Sequence, residues 1–432
     1  NNNRNNDNYD VIDFNSMDLE WKHTENTNSN NVRAVQMASE CRRRVTEATQ
    51  KIIQTIQNKA AANAAADASS SSTSKPSSKQ RPTSIGLILS GGVDTTAILD
   101  AASTLNIIFD VAITCVIGDT SPDELYAKYA AYKHSVNIKK HIIVQMTHDK
   151  LIDIYLPTTI QTLEVWDGMT IRNSLVIAAA FEEASKQNLT DVLVGDGADE
   201  LFGGYTFTWG KPEMCPIEWK NKRDTMCKSW TFATSALAKS YGITAHGPYM
   251  DQELMVDWAL NETQRIDCIR DDTPLIQLLL GQPYARHTTG KVLLREAFNT
   301  GSSWRRKDPI EVGSGATIIG KDIYYNNPNG TTPKHLCISD EEFIQAQQEL
   351  KEKENIIIHS KEYLTNIRLY QKVFGGFIHS TKKRYPKNDS KGCIGCCFEI
   401  GDATFCKLCG SYPAQHNSCL LYTSPSPRDL QG

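Results

Sequence analysis

Ile85-Gly-Leu-Ile-Leu-Ser90-Gly91-Gly92-Val-Asp94-Thr95-Thr96 joins a short apolar run, a glycine turn and a helix start. Ile85, Leu87, Ile88 and Leu89 have the character of a strand buried in a parallel sheet. Ser90-Gly91-Gly92 must then turn sharply, and the glycines let the backbone approach a ligand closely. Asp94, Thr95 and Thr96 open a helix continued by Ala97, Ile98 and Ala101. Free N–H groups and the helix dipole converge at such an N-terminus, which makes it an anion site. The Asp94 carboxylate would repel a bound phosphate unless a cation lay between them, and magnesium meets that need. Without a ligand, the same residues read as an ordinary strand–turn–helix with a capping Asp.

Further strands are expected over 110–117, 141–146 and 191–194, and helices over 121–136, 150–164 and 171–186. Strands alternating with helices predict an α/β fold with a doubly wound parallel sheet. Ligands in such sheets lie beyond the carboxyl ends of the strands, where the turn after Leu89 belongs. The strand over 191–194 runs into Gly195-Asp196-Gly197-Ala198-Asp199-Glu200-Leu201-Phe202-Gly203-Gly204-Tyr205. Four glycines and three acids in this span exceed what packing alone requires, although a glycine-rich turn with a solvated acidic edge is the bland alternative.

The turn Ser90-Gly91-Gly92-Val-Asp94-Thr95-Thr96 resembles the pyrophosphate loop of the ATP pyrophosphatases, whose usual form is Ser-Gly-Gly-x-Asp-Ser-Ser/Thr. No Gly-Lys-Ser/Thr follows, so it is not a Walker loop. The Gly195–Tyr205 span narrows the resemblance to the synthetase domain of asparagine synthetase, with Gly-Glu-Gly-Ser/Ala-Asp-Glu-Leu/Ile-Phe-Gly-Gly-Tyr. Other landmarks follow that family's order. Trp166-Asp167-Gly-Met-Thr170-Ile171-Arg172 resembles Asp-x-x-Thr-Ile-Arg. Tyr241-Gly-Ile-Thr244-Ala245-His246-Gly-Pro248-Tyr-Met-Asp251 resembles Gly-x-Glu-Ala-Arg-x-Pro-Phe-Leu-Asp. Lys291-Val-Leu-Leu-Arg295-Glu-Ala297 and Trp304-Arg305-Arg306-Lys307 resemble Lys-x-x-Leu-Arg-x-Ala and Trp-Arg-x-Lys.

The resemblance implies a pyrophosphate-loop domain of the adenine nucleotide alpha hydrolase type, and an amide ligase that uses ATP and magnesium. A carboxylate, with aspartate the family's own, would become an acyl-adenylate with release of pyrophosphate, and ammonia would then form the amide. Carried over residue by residue, Ser90, Gly91, Gly92, Thr95 and Thr96, with Gly195 and Gly197, would cradle the nucleotide. Asp94 and Asp199 would hold magnesium, while Lys307 and Arg172 would neutralise charge as the bond to the α-phosphate breaks. Asp196 stands where the family usually has Glu, at the place of the base for the amide step. The missing methylene displaces that carboxylate by about one bond length, and about 1 Å can cost about a hundredfold in rate.

Thr244-Ala245-His246 also departs from Glu-Ala-Arg, which changes a charge pair near the substrate pocket. The family's glutaminase domain is not among these residues. Three explanations stay open: truncation, a separate glutaminase or free ammonia, and another amine as nucleophile. A β-lactam-forming relative, a tRNA-modifying enzyme or a non-catalytic nucleotide binder are the alternative readings.

The 432 residues suggest two to three domains, and a net charge of −4 with 40% hydrophobic residues fits a globular protein without a polyanion bias. No apolar run is long enough for a membrane span, a cytoplasmic location is expected, and a homodimer is left open. The chain begins at Asn1 without Met, which suggests a fragment. Residues 1–31 are Asn-rich and expected to be disordered. A helix is expected over 32–66, with Cys41, Val45, Ala48, Ile52 and Thr55 on one face, packed on the domain or forming a short coiled coil.

A Ser-rich linker over 67–82 precedes the catalytic domain over 83–385, in which Gly313-Ser314-Gly315 suggests a mobile lid near Lys307. Lys382-Lys383-Arg384 reads as a solvated surface, so nucleic acid is not expected. Five of the 12 cysteines fall between Cys393 and Cys409. Cys393, Cys396, Cys406 and Cys409 form two Cys-x-x-Cys pairs, which predict a zinc-ribbon-like module over 386–416, with a redox dithiol pair as the alternative. Cys397 is the spare thiol. The tail over 417–432 has no periodicity and reads as an artefactual or disordered extension.

Overall fold

Every position of Val111–Ile117 is buried, and this run is β2, the strand on which the sheet is assembled. The computed structural model describes residues 32–69, 84–118, 121–210, 216–228, 230–277, 282–299, 301–327, 330 and 332–415. The expected Asn-rich segment 1–31, the linker from residue 70 to 82 and the tail 417–432 lie outside the described residues. The other strands of the main sheet are β1 (Ile85–Ile88), β3 (His141–Met146), β4 (Asp191–Leu193) and β5 (Thr244–His246). All neighbours pair in parallel, in the order β3-β2-β1-β4-β5.

Successive side chains of a strand point to opposite faces, so β2 feeds two cores. Val111, Ile113, Cys115 and Ile117 pack on one side with Leu175, Val176 and Ala179 of a helix over Gly168–Lys186. Ala112 faces the other side, with Leu87, Leu89, Ala97 and Ile98. This two-sided burial explains why the strands read as continuous apolar runs. The expected doubly wound sheet is therefore observed, with β5 and an antiparallel hairpin of β6 (Arg270–Gln277) and β7 (Gln282–Thr289) in addition.

The helices that matter for the site are α1 (Val32–Ser69), α2 (Val93–Thr104), α3 (Pro122–Lys133), α4 (Gly168–Lys186), α5 (Ala198–Phe202), α6 (Val292–Ala297) and α7 (Lys361–Phe374). Cys41, Val45 and Ala48 of α1 are fully buried among residues of α2 and α6. Arg42 donates to the Ala297 carbonyl at 3.0 Å and Arg44 to that of Leu254 at 2.9 Å. The buried stripe continues through Ile53 and Ile56, while Thr55 is exposed. A straight helix of 3.6 residues per turn carries the stripe past Thr55, where strict spacings of four and three would have kept it.

The segment Gly313-Ser314-Gly315 does not form a lid. Ser314 is fully buried, and its carbonyl accepts the Ile117 N–H at 2.7 Å at the end of β2. Ser121 Oγ donates to the Gly313 carbonyl at 2.6 Å, which fastens the segment from its other side.

Candidate active site

The strand order reverses between β1 and β4, since β2 and β3 lie to one side of β1 and β4 and β5 to the other. Loops leaving two adjacent parallel strands in opposite directions open a crevice at their carboxyl ends. The loop after β1 and the start of α2 carry Ser90 to Thr96, and the loop after β4 and the start of α5 carry Gly195 to Asp199. The two touch: a Cβ at Gly195 would stand 2.8 Å from that of Asp94.

Gly91 has φ +70, and a Cβ there would meet the Ala127 amide nitrogen of α3 at 2.4 Å. No side chain fits that turn. Ser90 N donates to Thr95 Oγ1 at 3.3 Å, Gly92 N to Ser90 Oγ at 3.3 Å, and Thr96 Oγ1 to the Gly92 carbonyl at 2.8 Å. Gly92 occupies the N-cap of α2 with no side-chain cap, so Asp94 is not a capping residue. Gly197, at φ +95, starts α5 and turns Asp199 back toward the β1 loop.

Asp94 and Asp199 converge on one cation, the ammonium of Lys291. Lys291 Nζ lies 2.6 Å from Asp94 Oδ2 and 2.7 Å from Asp199 Oδ1, and its side chain is 2% exposed. Lys307 Nζ approaches Asp199 Oδ1 at 2.8 Å and sits 4.7 Å above the Tyr205 ring. Burial opposes a charge on Asp199, but Lys291 and then Lys307 outweigh it and hold the carboxyl far below its usual range. On Asp94 burial wins, and the carboxyl is pushed up despite Lys291. Carboxylates that meet at one cation are a donor set for a hard divalent ion, so these residues fit magnesium.

Asp196 stands one residue past Gly195, and its Oδ2 is buried without a hydrogen-bond partner. Burial pushes its carboxyl up to about 6, with Thr234 opposing and the charges of Asp199 and Asp94 adding. Glu200, which accepts the Tyr205 hydroxyl at 2.8 Å, is raised to about 7 by burial and the nearby Asp199.

Arg172 stands apart from this group. It donates to both oxygens of Glu362, at 2.7 and 2.6 Å, and to Glu311 through Nε. Burial works against the guanidinium, but Glu362 and Glu311 hold it in its charged form. Thr244-Ala245-His246 forms β5, and His246 Nε2 lies 2.8 Å from Asp191 Oδ1.

Three residues of the site were unassigned by motif reading. Lys291 follows Gly290 at φ +56, outside the regular turn of α6, and nothing in its spacing announced two carboxylate partners. Arg305 donates to the Ser90 carbonyl at 3.1 Å and to Asp123 Oδ1 at 2.5 Å, and stacks 4.8 Å from the Tyr126 ring. Tyr249, fully buried, donates to the Asp94 carbonyl at 2.7 Å. Only the unbalanced acids of the two loops hinted that the two cations, Lys291 and Arg305, were needed.

The four cysteines make a second cluster. Cys393 Sγ and Cys409 Sγ are 3.7 Å apart, Cys396 Sγ and Cys406 Sγ 3.8 Å, and all four lie within 4.8 Å of one another. A tetrahedron of about 2.3 Å metal–sulfur bonds has edges of about 3.8 Å, whereas a disulfide is about 2.05 Å. The residues thus fit one tetrahedral metal, and among the described residues every cysteine is free. Cys397 is outside the cluster, with Asn355 Nδ2 donating to its sulfur at 3.0 Å. The cluster packs into the same core as Trp166 and α4. Among the described residues no helix is long and apolar enough to cross a membrane.

Residues 80–241 match the family model described as asparagine synthase. Over 294 residues the chain is 27% identical to a probable glutamine-hydrolysing asparagine synthetase of Schizosaccharomyces pombe, covering 63% of this chain and 46% of that relative. A putative glutamine-hydrolysing asparagine synthetase of Methanocaldococcus jannaschii is 34% identical over 121 residues, 28% of this chain and 21% of the relative. The glutamine-hydrolysing asparagine synthetase of Asparagus officinalis is 29% identical over 260 residues, 54% and 40% respectively. The chain thus spans less than half the length of these curated relatives. The match over 80–241 takes in the glycine turn at the switch point and the acidic loop beside it, and over this part the chain is similar to the asparagine synthase family.

Proposed function

We propose that this protein is an ATP-dependent carbon–nitrogen ligase that activates a carboxylate as its acyl-adenylate and passes the acyl group to ammonia. The convergence of Asp94 and Asp199 on one cation, with Lys307 alongside, is the observation that carries this reading. The loop Ser90–Thr96 with the start of α2 offers N–H groups and a positive dipole to the β- and γ-phosphates. Asp94 and Asp199 would hold magnesium, which supplies charge neutralisation on the pyrophosphate. Arg305 fixes the loop by its bond to the Ser90 carbonyl, and Tyr249 fixes Asp94.

In the first step a carboxylate oxygen of the substrate attacks the α-phosphorus, the α–β bridging P–O bond breaks, and pyrophosphate leaves. Lys307 is placed to meet the charge that grows on that leaving group. In the second step the ammonia nitrogen attacks the acyl carbon, the bond to AMP breaks, and a proton leaves the nitrogen. Asp196, buried and raised to about 6, has the proton affinity of a general base working near neutrality. Aspartate is the substrate favoured by the names of the relatives.

The test is product analysis with a panel of carboxylates. AMP and pyrophosphate should appear, with aspartate stimulating their release and ammonia serving as donor. ADP and phosphate as products would remove the loop from this class. Strong stimulation by another acid and none by aspartate would keep the adenylation and reassign the substrate. For the cysteine cluster we propose structural zinc, at one per chain by elemental analysis; a metal-free cluster in freshly reduced protein contradicts it.

A further inference from the structure

Arg295 of α6 is a buried cation served by backbone rather than by an acid. It is 2% exposed, and among the described residues it makes no ion pair. Its Nε donates to the Gly290 carbonyl at 3.0 Å, and its Nη1 donates to the carbonyls of Arg305, at 2.9 Å, and Ser303. A buried charge is tolerated only where hydrogen bonds satisfy it. The guanidinium presents its donors in a rigid planar fork, so carbonyls bound to it cannot move independently.

Those carbonyls belong to the two segments that carry the lysines of the site. Gly290 supplies the peptide that enters Lys291, whose φ of +56 lies in the left-handed region uncommon for a residue with a side chain. The Lys291 N–H donates to the Phe202 carbonyl at 2.9 Å, which leaves the Gly290 carbonyl to Arg295. Ser303 and Arg305 precede Lys307, and residues 306–309 have neither helix nor strand. The nearest upstream anchor of Lys307 is therefore the bond from Arg295 to the Arg305 carbonyl, together with the contacts of Arg305 itself.

Lys291 and Lys307 then meet at one atom, Asp199 Oδ1, at 2.7 and 2.8 Å. Two ammonium groups on one oxygen repel each other, so their shared grip depends on how far each backbone lets its side chain reach. Burial pushes the Arg295 guanidinium down to about 10, with Asp94 opposing and Arg305 adding, which leaves it charged at neutral pH.

We infer that Arg295 is a positioning residue that sets the reach of Lys307 against Lys291 and so places the Lys307 ammonium for the leaving pyrophosphate. The inference rests on the ATP reading proposed above. Arg295 acts through Lys307: its hydrogen bonds hold the backbone on both sides, and the lysine meets the charge.

The test is a double-mutant cycle read as pyrophosphate release at saturating ATP and carboxylate. Arg295→Lys keeps the charge, but an ammonium cannot span the three carbonyls as the planar fork does. In the parent it should lower kcat about tenfold or more, since a displacement near 1 Å can cost about a hundredfold. The KM for ATP should change by less than about threefold, because a group that acts on the leaving charge serves the transition state. In the Lys307→Ala background the same substitution should cost less than about twofold, because the group it positions is gone. Equal losses in the two backgrounds overturn the proposal, and so does an undiminished kcat in the single variant.

A parent that releases no pyrophosphate with any carboxylate refutes the ATP reading instead. Amide hydrogen exchange then judges the tie alone. In Arg295→Lys, residues 302–307 should lose protection while β2 keeps it, and unchanged exchange there overturns the positioning role. Melting curves show whether the variant folds. If it does not, Arg295→Gln, which keeps an uncharged donor, carries the same cycle. Failure of both variants to fold assigns Arg295 to the fold rather than to Lys307 and overturns the proposal.

Discussion

Lys291 Nζ lies 2.6 Å from Asp94 Oδ2, and the lysine side chain is almost wholly buried between the loops that follow β1 and β4. Removing that ammonium would leave Asp94 and Asp199 facing each other with only Lys307 in support. Breaking a buried ion pair by deleting one partner typically costs about 3–5 kcal/mol. Lys291→Met should therefore lower stability by about 3 kcal/mol in magnesium-free buffer. Added magnesium should raise its melting temperature more than it raises that of the parent, because the cation binds the folded state alone. Equal responses in calorimetry would mean that the carboxylates do not share a cation site.

Lys307 reaches the site from outside the sheet and remains partly exposed above Tyr205. Lys307→Ala should leave the fold intact and cut the rate of pyrophosphate release by about 10²–10³, the usual loss when one charge-stabilising donor is removed. Asp94→Asn should abolish most of the same activity. A stopped assay for pyrophosphate distinguishes these variants from misfolded protein when melting curves are run in parallel. A Lys307→Ala enzyme with full activity would assign the charge stabilisation elsewhere.

Asp196 separates the two half-reactions. If it takes the proton from ammonia, Asp196→Ala should spare pyrophosphate release and slow amide formation. In the parent, the amide step should rise with pH through about 6, since the carboxyl raised by burial must lose its proton before it can act as a base. That limb should vanish in Asp196→Ala. Asp196→Glu should match or exceed the parent, as the longer side chain restores the family's reach. Equal loss in both half-reactions would place Asp196 in nucleotide binding rather than proton transfer.

Glu200 offers a prediction about stability alone. Its carboxyl is raised by burial to about 7, above the unfolded value of about 4.3. The folded state then holds its proton more tightly. This contribution is complete below about pH 4.3 and is lost as pH rises through about 7. Glu200→Gln keeps an acceptor for the Tyr205 hydroxyl and removes the titration. Relative to the parent, the variant should gain on the order of 2 kcal/mol between pH 4.5 and pH 8, as approximate bounds read from chemical denaturation. A pH-independent difference would show that Glu200 is not protonated when buried.

The sequence by itself determined the sheet and the nucleotide loop, because both rest on local rules. Val111–Ile117 announces a buried parallel strand by its continuous apolar character, and Ser90-Gly91-Gly92 permits only a tight turn into a helix. Motif order brought Asp94, Asp199 and Lys307 into consideration, and the tertiary structure does gather them. The short β5 of Thr244–His246 and the helix Lys361–Phe374 escaped notice: a three-residue strand has almost no period to read, and the helix begins inside a charged, irregular stretch.

Long-range pairing was beyond any local rule. Lys291 becomes the partner of a residue nearly two hundred positions earlier, Arg172 is claimed by Glu311 and Glu362, and Leu408 caps the approach to α4. Each follows from burial: a charge or N–H removed from water must find a partner wherever the fold brings one, and sequence separation carries no information about which partner that is.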